Sequence, residues 1–194
     1  MSTNVLIIPG SVRLGSYNRK LAGEAMRLIS VTDAVVSRVD LSDYPLPIYD
    51  GDFEAEGGVP QNAQLLAQRI AAQDALLIVS PEYNASIPPL LKNAIDWASR
   101  VRKVDERPVQ PFKGLVVGLA SASPGRFGGL RGLEAIRIVM RALGADVITQ
   151  QCLLPTAAEG FDADGRLTDD VARASLESLC DKLLDTARSL TRHG

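Results

Sequence analysis

Two short stretches carry residue types and spacings suited to holding a ligand. The first, "PGSVRLGSYNR" from Pro9 to Arg19, follows a short apolar run directly. It places Gly10 and Gly15, the hydroxyls of Ser11 and Ser16, and the cation of Arg13 just ahead of a helical pattern. Backbone N–H groups at a helix start, reinforced by the macrodipole, hold a phosphate well. The Gly-x4-Gly spacing matches a P-loop only superficially, because Ser16 and Tyr17 stand where that motif needs Lys and Ser/Thr. An NTPase is therefore disfavoured, and the stretch is not GxGxxG either. A phosphomonoester suits it better than a pyrophosphate or triphosphate. The plainer use of the same residues is that Ser16 caps a helix and Gly10 makes a turn.

The second stretch is "SPEYNASIPPLLKNAIDW", Ser80 to Trp97. Pro81 keeps Ser80 extended and removes one N–H, while Pro88 and Pro89 fit the first turn of a helix for which Ser86 is the expected cap. Glu82 to Ser86 is thereby held between two fixed ends. A rigid loop with open N–H and C=O groups can read the edge of a planar heterocycle, and Tyr83 offers an aromatic surface beside it.

What the chain lacks narrows the chemistry further. Its single histidine, His193, is the penultimate residue, where a frayed tail is expected. The two cysteines, Cys152 and Cys180, lie far apart with no CxxC, and read as reduced, packed thiols dispensable for turnover. Triad hydrolysis, histidine proton shuttling and catalytic zinc all need a positioned imidazole in most of their forms. A borrowed cofactor is the expected agent of any chemistry, with no metal.

The elements that must position these stretches are legible in the hydrophobic pattern. Val5–Pro9, Ala75–Ser80 and Leu115–Ser121 are nearly continuous apolar runs, as parallel strands covered on both faces require. Ala34–Val39 and Asp146–Thr149 are shorter and more mixed, which suits edge strands. Helical periodicity covers Asn18–Ser30, Gln61–Gln73, Pro88–Val101, Leu130–Leu143 and Thr168–Leu190. The alternation predicts a three-layer doubly wound α/β domain spanning 1–194, with ligands at the carboxyl ends of the central strands. Leu41–Pro60 reads as one long irregular segment, and loops of that length are often functional.

Composition agrees with a globular chain: 194 residues, 46% of them hydrophobic, can bury a real core. The formal net charge is −2 with no block of like charges, so neither nucleic acid nor an anionic membrane is an expected partner. The N-terminus has no signal-peptide pattern, and a cytosolic location is expected.

Together with "SASPGRFGGLRGLEAIR" (121–137), the two stretches resemble the NADPH-dependent FMN reductase family, which includes chromate and quinone reductases. The likeness runs in order from the first strand to about Asp146. It implies a flavodoxin-like five-stranded parallel sheet of order 2-1-3-4-5 with helices on both faces. It also implies bound FMN, with NADPH or NADH as hydride donor and a small-molecule electron acceptor such as a quinone, chromate, an azo compound or free flavin. By the same likeness Ser11, Arg13, Ser16, Tyr17 and Asn18 match the phosphate segment, and Pro81, Glu82, Tyr83 and Asn84 the loop along the isoalloxazine. Ser121 and the "SPGRFGG" segment match the loop after the fourth strand, where Gly128 and Gly129 would let backbone approach the ring. Flavin N5 carries the chemistry in such enzymes, so no catalytic side chain is implied, and main-chain N–H groups of the two ring-facing loops are expected to stabilise the anionic reduced ring near N1 and O2.

Each of these residues has a plainer use. Glu82 can be an interface charge, Asn93 and Asp96 solvated helix-face residues, Trp97 core, and Arg126 and Arg131 surface decoration. A homodimer or homotetramer is expected because the apolar residues of Pro88–Val101 exceed what one sheet contact should cover. The rival reading is a flavodoxin-like electron carrier or a non-catalytic FMN-binding protein. Arg13 in the phosphate segment and the nearly balanced charge speak against the carrier.

Overall fold

The computed structural model describes residues 2–104, 106–190 and 192; His193, and with it the expectation of a frayed tail, lies outside them. Five parallel strands form the central sheet: β1 (Asn4–Pro9), β2 (Val35–Arg38), β3 (Ala75–Val79), β6 (Val116–Ala122) and β7 (Asp146–Leu154), in the order β2-β1-β3-β6-β7. The other two strands, β4 (Lys103–Val104) and β5 (Arg107–Pro108), make a small antiparallel hairpin that the sequence pattern did not announce. With that hairpin set aside, the order is 2-1-3-4-5, the flavodoxin-like arrangement.

Alternate residues of each central strand feed opposite cores, as a two-residue side-chain period requires. Val5, Ile7, Leu77 and Val79 pack beneath α1 (Tyr17–Ser30) and α6 (Asp170–Leu190), with Leu21, Ile29, Leu176 and Leu183. Leu6, Ile8, Leu76 and Ile78 face α3 (Gln61–Ala71), α4 (Pro89–Arg100) and α5 (Leu130–Ala142), meeting Leu66, Leu91 and Ile136. The strand patterns looked continuously apolar because both faces are buried. The two mixed strands, β2 and β7, are the sheet's edges. β7 continues to Leu154, beyond the expected Thr149, because its second half pairs with Leu119–Ala122 past an irregularity in register.

The segment expected to be irregular, 41–60, is partly helical. A 3₁₀ turn, Leu41–Asp43, is followed by α2 (Gly51–Gly57), whose N-cap Asp50 accepts from the N–H groups of Asp52 and Phe53. It folds across α4. Asn93 accepts from the Tyr49 N–H at 2.9 Å and donates to Pro47 O at 2.8 Å, and Trp97 Nε1 donates to the same carbonyl at 2.8 Å. Tyr49 and Phe53 stand edge-on to the Trp97 ring. Asn93 is therefore no solvated residue, while Asp96 pairs with Lys92 along the helix at 2.7 Å. Trp97 is core, as the plainer reading had it, at 0% exposure.

This packing removes the reason first given for an oligomer. Leu91, Ala94, Ile95, Trp97 and Ala98 are all buried within the chain, and of the apolar residues named on this helix only Leu90 remains exposed. Among the described residues, no helix is long and apolar enough to cross a membrane.

Candidate functional site

The strand order reverses between β1 and β3, and the loops leaving the carboxyl ends of β1, β3 and β6 converge there, where open α/β sheets place ligands. The first loop departs under a steric constraint. Gly10 N–H donates to Val79 O at 2.9 Å, and a Cβ on residue 10 would lie 2.6 Å from Ser80 Oγ. Any side chain there would force the β1 and β3 loops apart. The chain then turns through Gly15 (φ +71°), closed by Ser16 N–H on Arg13 O at 3.1 Å.

Ser16 occupies the N-cap position of α1, but its hydroxyl makes no capping bond; its carbonyl accepts from Arg19 and Lys20. The N–H groups of Leu14, Gly15, Tyr17 and Asn18 have no acceptor among the described residues, and the first turn of α1 holds no acidic residue. Arg13 is exposed and makes no ion pair among the described residues. Open N–H donors, a helix N-terminus and one free guanidinium form a donor set suited to a dianion.

Asn18 is buried and turned away from that opening. Its amide donates to Ala122 O at 2.8 Å and accepts from Ala122 N–H at 2.9 Å, so it closes the end of β6 as another strand would. Tyr17 is half-buried and stacks on Phe161, with parallel rings whose centroids lie 6.4 Å apart.

The second loop is a two-residue hairpin. Tyr83 and Ser86 exchange both main-chain hydrogen bonds at 3.0 Å, and Asn84 (φ +49°) and Ala85 (φ +61°) form the tip in the left-handed region. This is type I′ geometry, which favours Asn first and Gly second; Ala85 bears the strain of the second position. Ser86 does not cap the following helix as expected, because its main chain closes this hairpin; α4 begins at Pro89 behind Pro88. The rigidity inferred from the prolines thus has a second source, and it leaves the Tyr83 ring half exposed.

Glu82 points away from the hairpin tip to the start of α5. Its carboxylate pairs with the Arg131 guanidinium and accepts from Gly132 N–H at 3.1 Å. Burial alone would raise its pKa, but these contacts outweigh it and hold the carboxyl below the usual carboxylate range. Residue 132 must be small, since a Cβ there would lie 3.1 Å from Glu82 Cα. Arg131 and Gly132 were not expected to take part. A pairing across 50 residues leaves no local signal, although the glycines at 128, 129 and 132 mark a helix start built for close approach.

The third loop leaves β6 through Ser121 and Ala122. Ser123 N–H donates to Leu154 O and Ala157 N–H to Ser123 O, both at 3.0 Å, fixing the loop to the end of β7. Gly128 and Gly129 both have positive φ, but the open side of each meets protein. A Cβ on Gly128 would touch Leu153 and Pro155, and one on Gly129 would lie on Ser121 Oγ. The glycines let this loop sit low on the sheet. Ser121 is fully buried beneath Gly129, its hydroxyl without a hydrogen-bond partner among the described residues.

A doubly wound parallel sheet of order 2-1-3-4-5, with open N–H donors at its switch point flanked by two rigid loops, defines an α/β protein of flavodoxin-like fold. Comparison with known proteins gives the family. The sequence matches the model of the NADPH-dependent FMN reductase family over residues 3–159. It is 38% identical over 174 residues to an NAD(P)H-dependent FMN reductase of Pseudomonas aeruginosa, covering 89% of each chain. It is 36% identical over 146 residues to a quinone reductase of Escherichia coli, covering 75% of this chain and 73% of that one. Among solved structures, FerB, a flavoenzyme NAD(P)H:(acceptor) oxidoreductase from Paracoccus denitrificans, superposes with a TM-score of 0.78 at 27% identity, over 96% of this chain and 98% of that one. The chain belongs to the NADPH-dependent FMN reductase family, a family of oxidoreductases that work with FMN and a nicotinamide nucleotide.

Proposed function

We propose that this chain binds FMN at the carboxyl end of its sheet and acts as an NAD(P)H oxidoreductase reducing a quinone, with chromate, azo compounds and free flavin as further acceptors to assay. The observation that carries this reading is the set of N–H groups at Leu14, Gly15, Tyr17 and Asn18, open among the described residues, beside Arg13, which has no ion pair among them, a fit for a phosphomonoester. When bound, FMN supplies the redox chemistry, taking hydride from the nicotinamide and passing electrons to the acceptor.

The chain's own residues bind and orient. Arg13 and the loop N–H groups hold the phosphate, with Ser11 and Ser16 lining the cradle. Asn18 contributes its main-chain N–H, while its amide fixes Ala122. Pro81, Glu82, Tyr83 and Asn84 present main chain and one aromatic ring along the flavin edge, opposite the Gly128–Gly129 backbone. The carboxylate of Glu82 and the buried Ser121 support the third loop from below. No side chain here is required as acid or base.

In this reading the chain is one cytosolic domain. It forms a dimer or tetramer through exposed apolar residues such as Leu90 and Leu130, in place of the buried face of α4. Sedimentation at micromolar concentration tests the assembly. The function is tested by the absorption spectrum of the purified protein and by NADPH consumption with a quinone and no added reductase. Blue and near-ultraviolet flavin bands with steady turnover are expected. A colourless protein that FMN cannot reconstitute overturns the reading, and a coloured protein without turnover selects the electron carrier or a non-catalytic FMN-binding protein.

A further inference from the structure

The third loop carries a cation for which the site as described has no use. Phe127 is half exposed on the rim, and two guanidiniums lie over its ring, Arg126 at 4.7 Å and Arg131 at 5.3 Å from the centroid. The two are not equivalent. Arg131 is neutralised by Glu82, and the same carboxylate takes the Gly132 N–H at the start of α5. That helix N-terminus already has its anion. Arg126 is exposed and has no acidic partner among the described residues. A guanidinium held over an aromatic ring loses rotamer freedom while N–H donors remain for a bidentate grip on an oxyanion.

The FMN phosphate is not the anion in question. Its cradle follows β1, whereas Arg126 follows β6, two strand spacings or roughly 10 Å along the sheet, with the Tyr83–Ser86 hairpin between them. Of the reaction's other participants, the nicotinamide nucleotide carries phosphates on its adenosine half, remote from the ring that gives hydride. Arginine forks fit a dianionic monoester well, and among nicotinamide nucleotides that group belongs to NADPH and is absent from NADH.

We propose that Arg126 grips the 2′-phosphate of NADPH and so gives this chain a preference for NADPH over NADH; the proposal rests on the FMN reductase reading above. Phe127 positions the guanidinium, and Glu82 keeps Arg131 from competing for the same phosphate.

The test compares wild type, Arg126→Ala and Arg126→Lys as FMN-loaded proteins. In Arg126→Ala the ratio of kcat/KM for NADPH to that for NADH should fall by roughly tenfold to a hundredfold, as loss of a charged hydrogen-bonded contact implies, with the change in KM rather than kcat. Arg126→Lys should restore part of the ratio, since the charge returns without the fork. A direct measurement needs no turnover: calorimetric titration with 2′,5′-ADP and with 5′-AMP. Wild type should bind the bisphosphate more tightly, and Arg126→Ala should lose that difference. An equal loss for NADPH and NADH, or a wild type that does not distinguish 2′,5′-ADP from 5′-AMP, overturns the proposal. A failure of the FMN reductase reading shows itself separately, as absent flavin bands or as no oxidation of either nucleotide.

Discussion

A Cβ on residue 129 would lie 1.9 Å from Ser121 Oγ and 2.8 Å from Ser121 Cβ, so the turn into α5 rests on the last residues of β6 with no room for a side chain. Gly129 also has φ +90°, where other residues are strained. Gly129→Ala should therefore lower stability by about 2–4 kcal/mol, combining overpacking with backbone strain. Adding Ser121→Ala should restore only part of this, because the Ser121 Cβ itself is too close. Chemical denaturation of the single and double variants measures both effects.

Arg13→Ala should weaken FMN binding by roughly tenfold to a hundredfold while leaving folding intact, since the residue is exposed and makes no ion pair among the described residues. The loss should be much smaller for riboflavin, which lacks the phosphate. Fluorescence titration of wild type and Arg13→Ala with both ligands forms a double cycle that isolates the phosphate contact. An equal loss for the two ligands would place Arg13 outside the cradle.

Glu82 makes stability depend on pH. Its folded pKa lies below the ordinary value, since the Arg131 and Gly132 contacts outweigh burial, so its contribution is present above the ordinary carboxylate range. It is lost as pH falls through the depressed folded value. Glu82→Gln should cost about 1 kcal/mol at neutral pH, limited by solvent screening of the half-exposed Arg131. The difference from wild type should shrink on acidification; denaturation midpoints from neutral pH downward give the profile.

Both thiols should be silent. Burial pushes Cys152 and Cys180 up to about 12, so neither forms a thiolate near neutral pH. A thiol reagent should label the native protein only as fast as it opens, and label it promptly in denaturant. Cys152→Ala with Cys180→Ala should retain NADPH-driven quinone reduction at some cost in stability. Loss of turnover with FMN still bound would reveal a thiol step.

Local chemistry along the chain was enough to read the alternation of strands and helices and the edge character of β2 and β7. Each depends on side-chain periodicity or on groups a few residues apart, which survive in one dimension. The helix within 41–60 was missed because α2 shows no buried residue and depends on Asp50 as its cap and on Trp97 as its floor.

The site's support could be settled only in three dimensions. That the side-chain amide of Asn18 holds Ala122, 104 residues away, has no local signal. That the Glu82 carboxylate holds the start of α5 across 50 residues is equally invisible in one dimension. Gly128 and Gly129 advertised close approach, but that they approach Leu153, Pro155 and Ser121 follows from how β6, β7 and α5 stack. A residue's type constrains which bonds it can make. Its partner is decided by which strand ends the crossovers bring together, and that distance is a property of the folded sheet.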